Sequence, residues 1–265
     1  MLKILKENLA FKKQILKLSK SELIKTYKGA ALGPLWAVVK PSITIFVYWF
    51  AFALGFRGNG TVHGFPFFTF MLVGIIPWFF MSEAILSGAM CIRQNRHFVT
   101  KMPFPVSTIM TYTTLSKLYI HFGLCVIMYV ILLFSGIQPS IYNLQFFLYM
   151  PLMYIFFTCL AWITAPLSAI SRDFENVVKS ILTAIFWLSG IMWDPFSLES
   201  ETLRRIIMLN PVNYFANGYR NTFLYEKWFF ETPYETIAFF IILILVMVLG
   251  ARTYHKLRKT IPDVL

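Results

Sequence analysis

Inside the long apolar stretches of this 265-residue chain lie one carboxylate, Glu83, and two lysines, Lys40 and Lys117, with Lys179 at the leading edge of a further run. A charge in hydrocarbon is costly and faces a partner or a cavity. Glu83 and Lys40 sit at similar depths in successive runs, so we expect them to pair or to line an entrance; snorkelling of Lys40 to the interface is the plainer alternative. Lys117 and His121, one helical turn apart, make one polar face, explained more simply by polar packing than by a proton relay. Hydrolytic or transferase chemistry would need clustered carboxylates, a His/Asp pair or a metal set. The four histidines (His63, His97, His121, His255) are instead dispersed, and Cys91, Cys125 and Cys159 lie singly in or beside apolar runs, as buried thiols do. With no GxxxxGK[ST] phosphate loop either, we assign no catalytic residue, no metal and no cofactor to this chain, and keep a polytopic transferase only as a lesser alternative. Tyr112, Tyr119, Trp162, Trp187 and Trp193 lie at depths where a path through the membrane would use aromatic faces and polar edges, although lipid or helix packing accounts for any single one.

The elements that must position these residues are membrane helices. Hydrophobic residues make up 58% of the chain and charged residues 14%, well away from soluble averages. The formal charge of +12 sits between apolar runs rather than within a soluble fold, which argues for lipid head groups and against nucleic acid. Apolar runs at 35–56, 67–91, 106–136, 144–170, 177–193 and 237–251 predict six transmembrane helices. Of 24 Lys and Arg residues, 17 fall on the side that holds both termini, so the N- and C-termini are expected in the cytoplasm. Residues 1–34 precede the first run as an amphipathic interface segment, with Lys13, Lys17 and Lys20 on the lysine face and Tyr27 near its end; residues 35–265 form the transmembrane domain. The stretch from Asp194 to Glu235 is too polar to span and too apolar to be a free loop, so it is expected to form re-entrant or interfacial helices at the outer surface. The fold class is thus an all-α polytopic membrane protein.

Three segments together carry a resemblance: KTYKGAALGPLW at 25–36, RQNRHFVTKMPFP at 93–105, and Ser171-Arg172-Asp173-Phe174, followed by Asn210-Pro211 and Tyr219-Arg220. In order and spacing they resemble the ABC-2 type permeases of polysaccharide exporters. Within that family, GNGTVHGFPFFTFMLVGIIPWFF (58–80), KMPFP (101–105) and SKLYIHF (116–122) look most like the wall teichoic acid permeases. The resemblance implies a homodimer in the cytoplasmic membrane of a bacterium, bound to two separate nucleotide-binding ATPase subunits that carry the ATP and Mg, and exporting an undecaprenyl-linked teichoic acid polymer. Capsule or O-antigen polysaccharide, or a small molecule or lipid, remain as alternative cargo. It also implies that a short helix from about Asn95 to Thr100 couples to the ATPase, with Arg93, Arg96 and Lys101 orienting it and Phe98 or Phe104 anchoring it; the residues alone read equally as an ordinary basic cytoplasmic loop. Arg172 and Asp173, with Glu175, could be a second ATPase contact or a local ion pair. The region 194–231 would be the outer gate, carrying Asn210, Pro211, Tyr219 and Arg220. Arg204, Arg205 and Arg220 are available there to a polyanionic cargo or to head groups.

Overall fold

The computed structural model describes residues 1–52, 60–101 and 104–265. Arg57, the end of the first apolar run, Pro103 and the Lys101 side chain lie outside the described residues.

The N-terminal segment forms two helices, α1 (Leu2–Ala10) and α2 (Lys12–Tyr27), with a break at Phe11 where the backbone leaves helical values (φ −102°, ψ 19°). Both lie along α6 (Val106–Phe134). Ile4, Ile15 and Ser19 are buried against the bundle, and the Ser19 and Tyr119 hydroxyls are 3.1 Å apart. Glu7 accepts a hydrogen bond from Ser107 (2.5 Å) and lies 4.0 Å from Arg258. The segment is therefore fastened to protein along its inner face, with Lys13, Lys17 and Lys20 exposed.

A second element, α3 (Trp36–Phe50), carries Pro41 and has no buried residue. After it a tight hairpin, β1 (Thr61–Val62) and β2 (Phe65–Pro66), turns through His63 and Gly64, both at positive φ (50° and 83°), the geometry that fits a two-residue hairpin loop. It leads directly into α4 (Phe67–Gln94), the centre of the molecule. Of the four helices among the described residues that are long and apolar enough to cross a bilayer, α4 has 72% of its most apolar window buried, against 28%, 50% and 33% for α6, for the Ile141–Ile170 segment and for α11 (Pro233–Leu257). The latter three each leave a large share of that window unburied, while α4 is enclosed. That segment is a 3₁₀ turn, Ile141–Gln145, running into α7 (Phe146–Ile170).

One of the six expected spans is shorter in helix: α8 (Arg172–Leu188) has 17 residues, against about 20 for a full crossing. Helix α8 also starts earlier than the apolar run at 177–193 and stops earlier. Residues 189–193 form a buried turn instead, because Asn210 donates to Ser189 Oγ (2.7 Å) and Gly190 lies flat against Asn213 and Pro195, where a Cβ would have no room.

The outer stretch is largely packed. Helix α9 (Glu201–Met208) is capped by Ser200 and keeps Leu203 and Ile206 exposed. Helix α10 (Pro211–Arg220) is capped by the Asn210 side chain and has Pro at its first position, where its missing N–H costs nothing. It is buried against α4, α7 and α11 and continues as a π turn, Asn221–Tyr225. At the opposite end lie the short helices α5 (Arg96–Lys101) and α12 (Ile261–Val264).

Helices α7 and α11 approach closely at Gly250, where an added Cβ would lie 2.6 Å from the Cys159 carbonyl oxygen and 3.1 Å from Trp162 Cβ. Gly250→Val should destabilise the purified protein by about 2 kcal/mol, read as a lower melting temperature in detergent. Gly123→Ala, on a helix face with no atom near the added methyl, should leave it unchanged.

Candidate functional site

Two features concentrate the polar groups. The first is a cavity of about 480 Å³ between α2, α3, α4 and α6, lined by Tyr27, Trp36, Lys40, Trp78, Glu83 and Lys117 among others. Glu83 stands between two lysines: its Oε1 is 3.9 Å from Lys40 Nζ and its Oε2 is 3.5 Å from Lys117 Nζ. The cavity thus holds two ammonium groups for one carboxylate. Lys40 is largely exposed (77%) and Lys117 mostly buried (13%), so the Lys117 contact is the less screened. Burial, with the Glu83 charge adding to it, pushes the Tyr27 phenol above its usual value, which keeps it neutral at the mouth. Lys117 and His121 share a helix face but part company in their contacts. The His121 Nε2 lies 2.7 Å from the Tyr219 hydroxyl and 3.3 Å from Cys125 Sγ, inside the bundle.

The second feature is Arg220, which is fully buried. Its Nε donates to the Phe70 carbonyl (3.3 Å), Nη1 to the Gly190 carbonyl (2.5 Å) and Asn217 Oδ1 (3.0 Å), and Nη2 to the Ile191 carbonyl (2.6 Å). The guanidinium also lies 3.6 Å from the centre of the Phe70 ring. A buried cation needs its donors satisfied, and here carbonyl dipoles and a π face do so. The expectation that Arg220 is available to cargo or head groups is corrected: its donors are consumed inside the protein. Arg204 is half-buried, and Arg205 pairs with Glu201 at 2.6 Å on α9.

The residues expected to couple to an ATPase divide. Arg93 turns inward: it donates to the Ser168 and Ala169 carbonyls and lies 3.4 Å from Glu175. Asn95 is buried and donates to the Cys91 carbonyl. Phe98 and Phe104 are partly buried and in ring contact, and Phe104 packs edge-on against Phe11. Arg96, Arg172 and Asp173 remain exposed. The Arg93–Glu175 contact joins two clusters that are 82 positions apart in number but adjacent in space.

The five candidate path aromatics share no wall. Tyr112 and Trp162 are buried in the bundle, Tyr119 meets α2, and Trp193 donates its indole N–H to the carbonyl of the half-exposed Trp187. Asn210 and Pro211 start α10, and Tyr219 faces His121. Reading the sequence missed the Lys117–Glu83 contact and the roles of Gly74 and Gly190 beneath Arg220. Lys117 and Glu83 were both marked as intramembrane charges, but nothing local shows which of two lysines faces a carboxylate on another helix. Among the described residues no group of His, Cys, Asp and Glu is arranged to hold a metal ion.

Residues 13–224 match the family described as ABC-2 type transporter. The chain belongs to the ABC-2 type transporter family. It is 26% identical over 224 residues, 84% of this chain and 85% of the relative, to the O-antigen export system permease protein RfbA of Myxococcus xanthus. The part of this ABC-2 chain that matches the family takes in the Lys40–Glu83–Lys117 cavity, the Arg93 cluster and Arg220, and ends before α11. As an ABC-2 permease it is an integral membrane component of a transporter.

Arg220→Lys offers three donors from one point where a fork serves four acceptors. It should cost about 3 kcal/mol or more, by leaving carbonyls unpaired in the core. Gly74→Ala should act in the same direction, since its methyl would lie 2.9 Å from Arg220 Cζ and 2.8 Å from the Ile191 carbonyl oxygen. Thermal unfolding of the two variants beside wild type checks both.

Proposed function

We propose that this chain is the permease subunit of a bacterial ABC exporter of a lipid-linked polysaccharide. The match to ABC-2 transporters over most of the chain, together with the likeness to an O-antigen export permease, carries the reading. The chain crosses the cytoplasmic membrane six times with both termini inside, as the placement of its basic residues favours; α3 and α8 supply the first and fifth crossings. Two copies pair. In support, α3 has no buried residue, and α8 leaves Val177, Ile181, Trp187 and Leu188 exposed along one face.

ATP and Mg are held by two separate nucleotide-binding subunits. These dock on the exposed cations and polar groups of α5 and the first turn of α8, where Arg96, Arg172 and Asp173 stand. The inward contacts of Arg93 would carry a push at α5 into α7 and α8. The charged cavity beneath α2 is the cytoplasmic entrance: two lysines facing one carboxylate leave a positive excess for the phosphate of a lipid carrier. Buried α10 and its surroundings form the outer gate. An undecaprenyl-linked teichoic acid and an O-antigen-like or capsular polysaccharide both suit this entrance.

Two experiments test the reading. Affinity purification of the chain should bring down an ATPase whose turnover rises with undecaprenyl-linked polymer. A purified chain that instead turned over lipid-linked sugar with no ATPase present would remove it. Glu83→Gln and Lys117→Met should each lower polymer export at least fivefold in cells while assembly with the ATPase persists; unchanged export in both would remove the entrance assignment.

A further inference from the structure

A second cavity, of about 490 Å³, opens at the end of the bundle opposite the charged one. Its size falls within the range of roughly 300–1,000 Å³ typical of small-ligand sites. Its floor is Tyr149 on α7 and Gly218 on α10, its wall is the π turn Asn221–Tyr225, and Phe196 stands half-exposed at its rim. The β1–β2 hairpin covers one side: His63 Nε2 lies 2.8 Å from Asp194 Oδ2, and the His63 ring packs edge-on against Tyr225.

The backbone works to present this wall. A π turn is uncommon and recurs at functional sites, and it ends at Glu226 in the left-handed region (φ 52°, ψ 48°), a conformation a non-glycine residue adopts at some cost. Two polar groups on this wall line the cavity. Asn221 is a residue only 8% exposed, and the Tyr225 hydroxyl is buried with no hydrogen-bond partner among the described residues. Buried groups of this kind are normally satisfied.

We infer that this cavity is a binding site for a neutral, hydroxyl-rich ring, a segment of sugar, on the outer side of the permease. Aromatic faces pack on sugar C–H groups, and the Asn221 amide and Tyr225 hydroxyl supply donors and acceptors to ring hydroxyls. The charge balance excludes a phosphate. Lys227 and Glu235 offset each other in the lining, His63 is held by Asp194, and Arg220 is committed to carbonyls. Phosphate recognition uses charge-assisted donors in excess, which the opposite cavity has and this one lacks. The inference rests on the polysaccharide-export reading and narrows its cargo to a polymer that contains uncharged sugar rings.

The test uses the full chain, with its ATPase when that copurifies, in lipid nanodiscs. Saturation-transfer NMR is run against short glucose, mannose, rhamnose and N-acetylglucosamine oligosaccharides, with a glycerol-phosphate trimer as the anionic probe. At least one neutral oligosaccharide should receive saturation. The affinity should fall at least fivefold in Asn221→Ala and Tyr225→Ala, and about twofold in Tyr225→Phe, which keeps the ring and its packing. Lys40→Met, at the other end, should leave it unchanged. Absence of any neutral binder, equal binding in all Asn221 and Tyr225 variants, or binding of the glycerol-phosphate trimer alone would overturn the proposal. Polymer export, scored separately in cells, keeps the two readings apart: export without sugar binding removes this site alone, and sugar binding without ATP-driven export removes the exporter reading while the site stands.

Discussion

One buried cation organises the half of this permease that holds α10. The Arg220 guanidinium draws carbonyls from α4 and from the turn after α8 to a single point on α10. Burying such a charge is costly unless every donor is met, so the three segments are held together by the penalty of separating them. Gly74 and Gly190 follow from the same constraint. The guanidinium lies against the Gly74 Cα, and Gly190 must lie flat under Pro195 and Asn213 for its carbonyl to face Arg220. The seating of α10 then sets Tyr219 against His121 and directs the π turn toward the outer cavity.

The two cavities differ in kind. At the inner end a half-exposed carboxylate is shared by two lysines, one solvated and one mostly buried. Exposed pairs of this sort add little stability, so their weight lies in the local positive potential. At the outer end charges cancel in pairs and aromatic and amide groups remain.

Stiffness links the inner surface to the bundle. Helices α1 and α2 are tied to α6 through Glu7–Ser107 and Ser19–Tyr119, and Arg93 binds the ends of α4, α7 and α8 into one block. Among the described residues, α5 follows α4 after Asn95 alone, so it is joined directly to that block.

Hydropathy alone determined that this is an all-helical membrane protein, because the cost of exposing backbone polar groups to lipid is local and leaves its mark in each run of residues. Charge in hydrocarbon likewise marked Lys40, Glu83 and Lys117 without any fold, since such residues are too costly to lie there idle. Tertiary structure decided the partners. Arg220 and Phe70 are 150 positions apart and Arg93 and Ser168 are 75 apart, separations at which no periodicity carries information. The same holds for the lysine that shares Glu83 with Lys40, and for the stretch after α8, which reads as re-entrant or interfacial helices without showing that α10 packs against α4, α7 and α11. A side chain's cost in lipid is written at its own position; what relieves that cost is contributed by distant segments, and only packing brings them within a few ångströms.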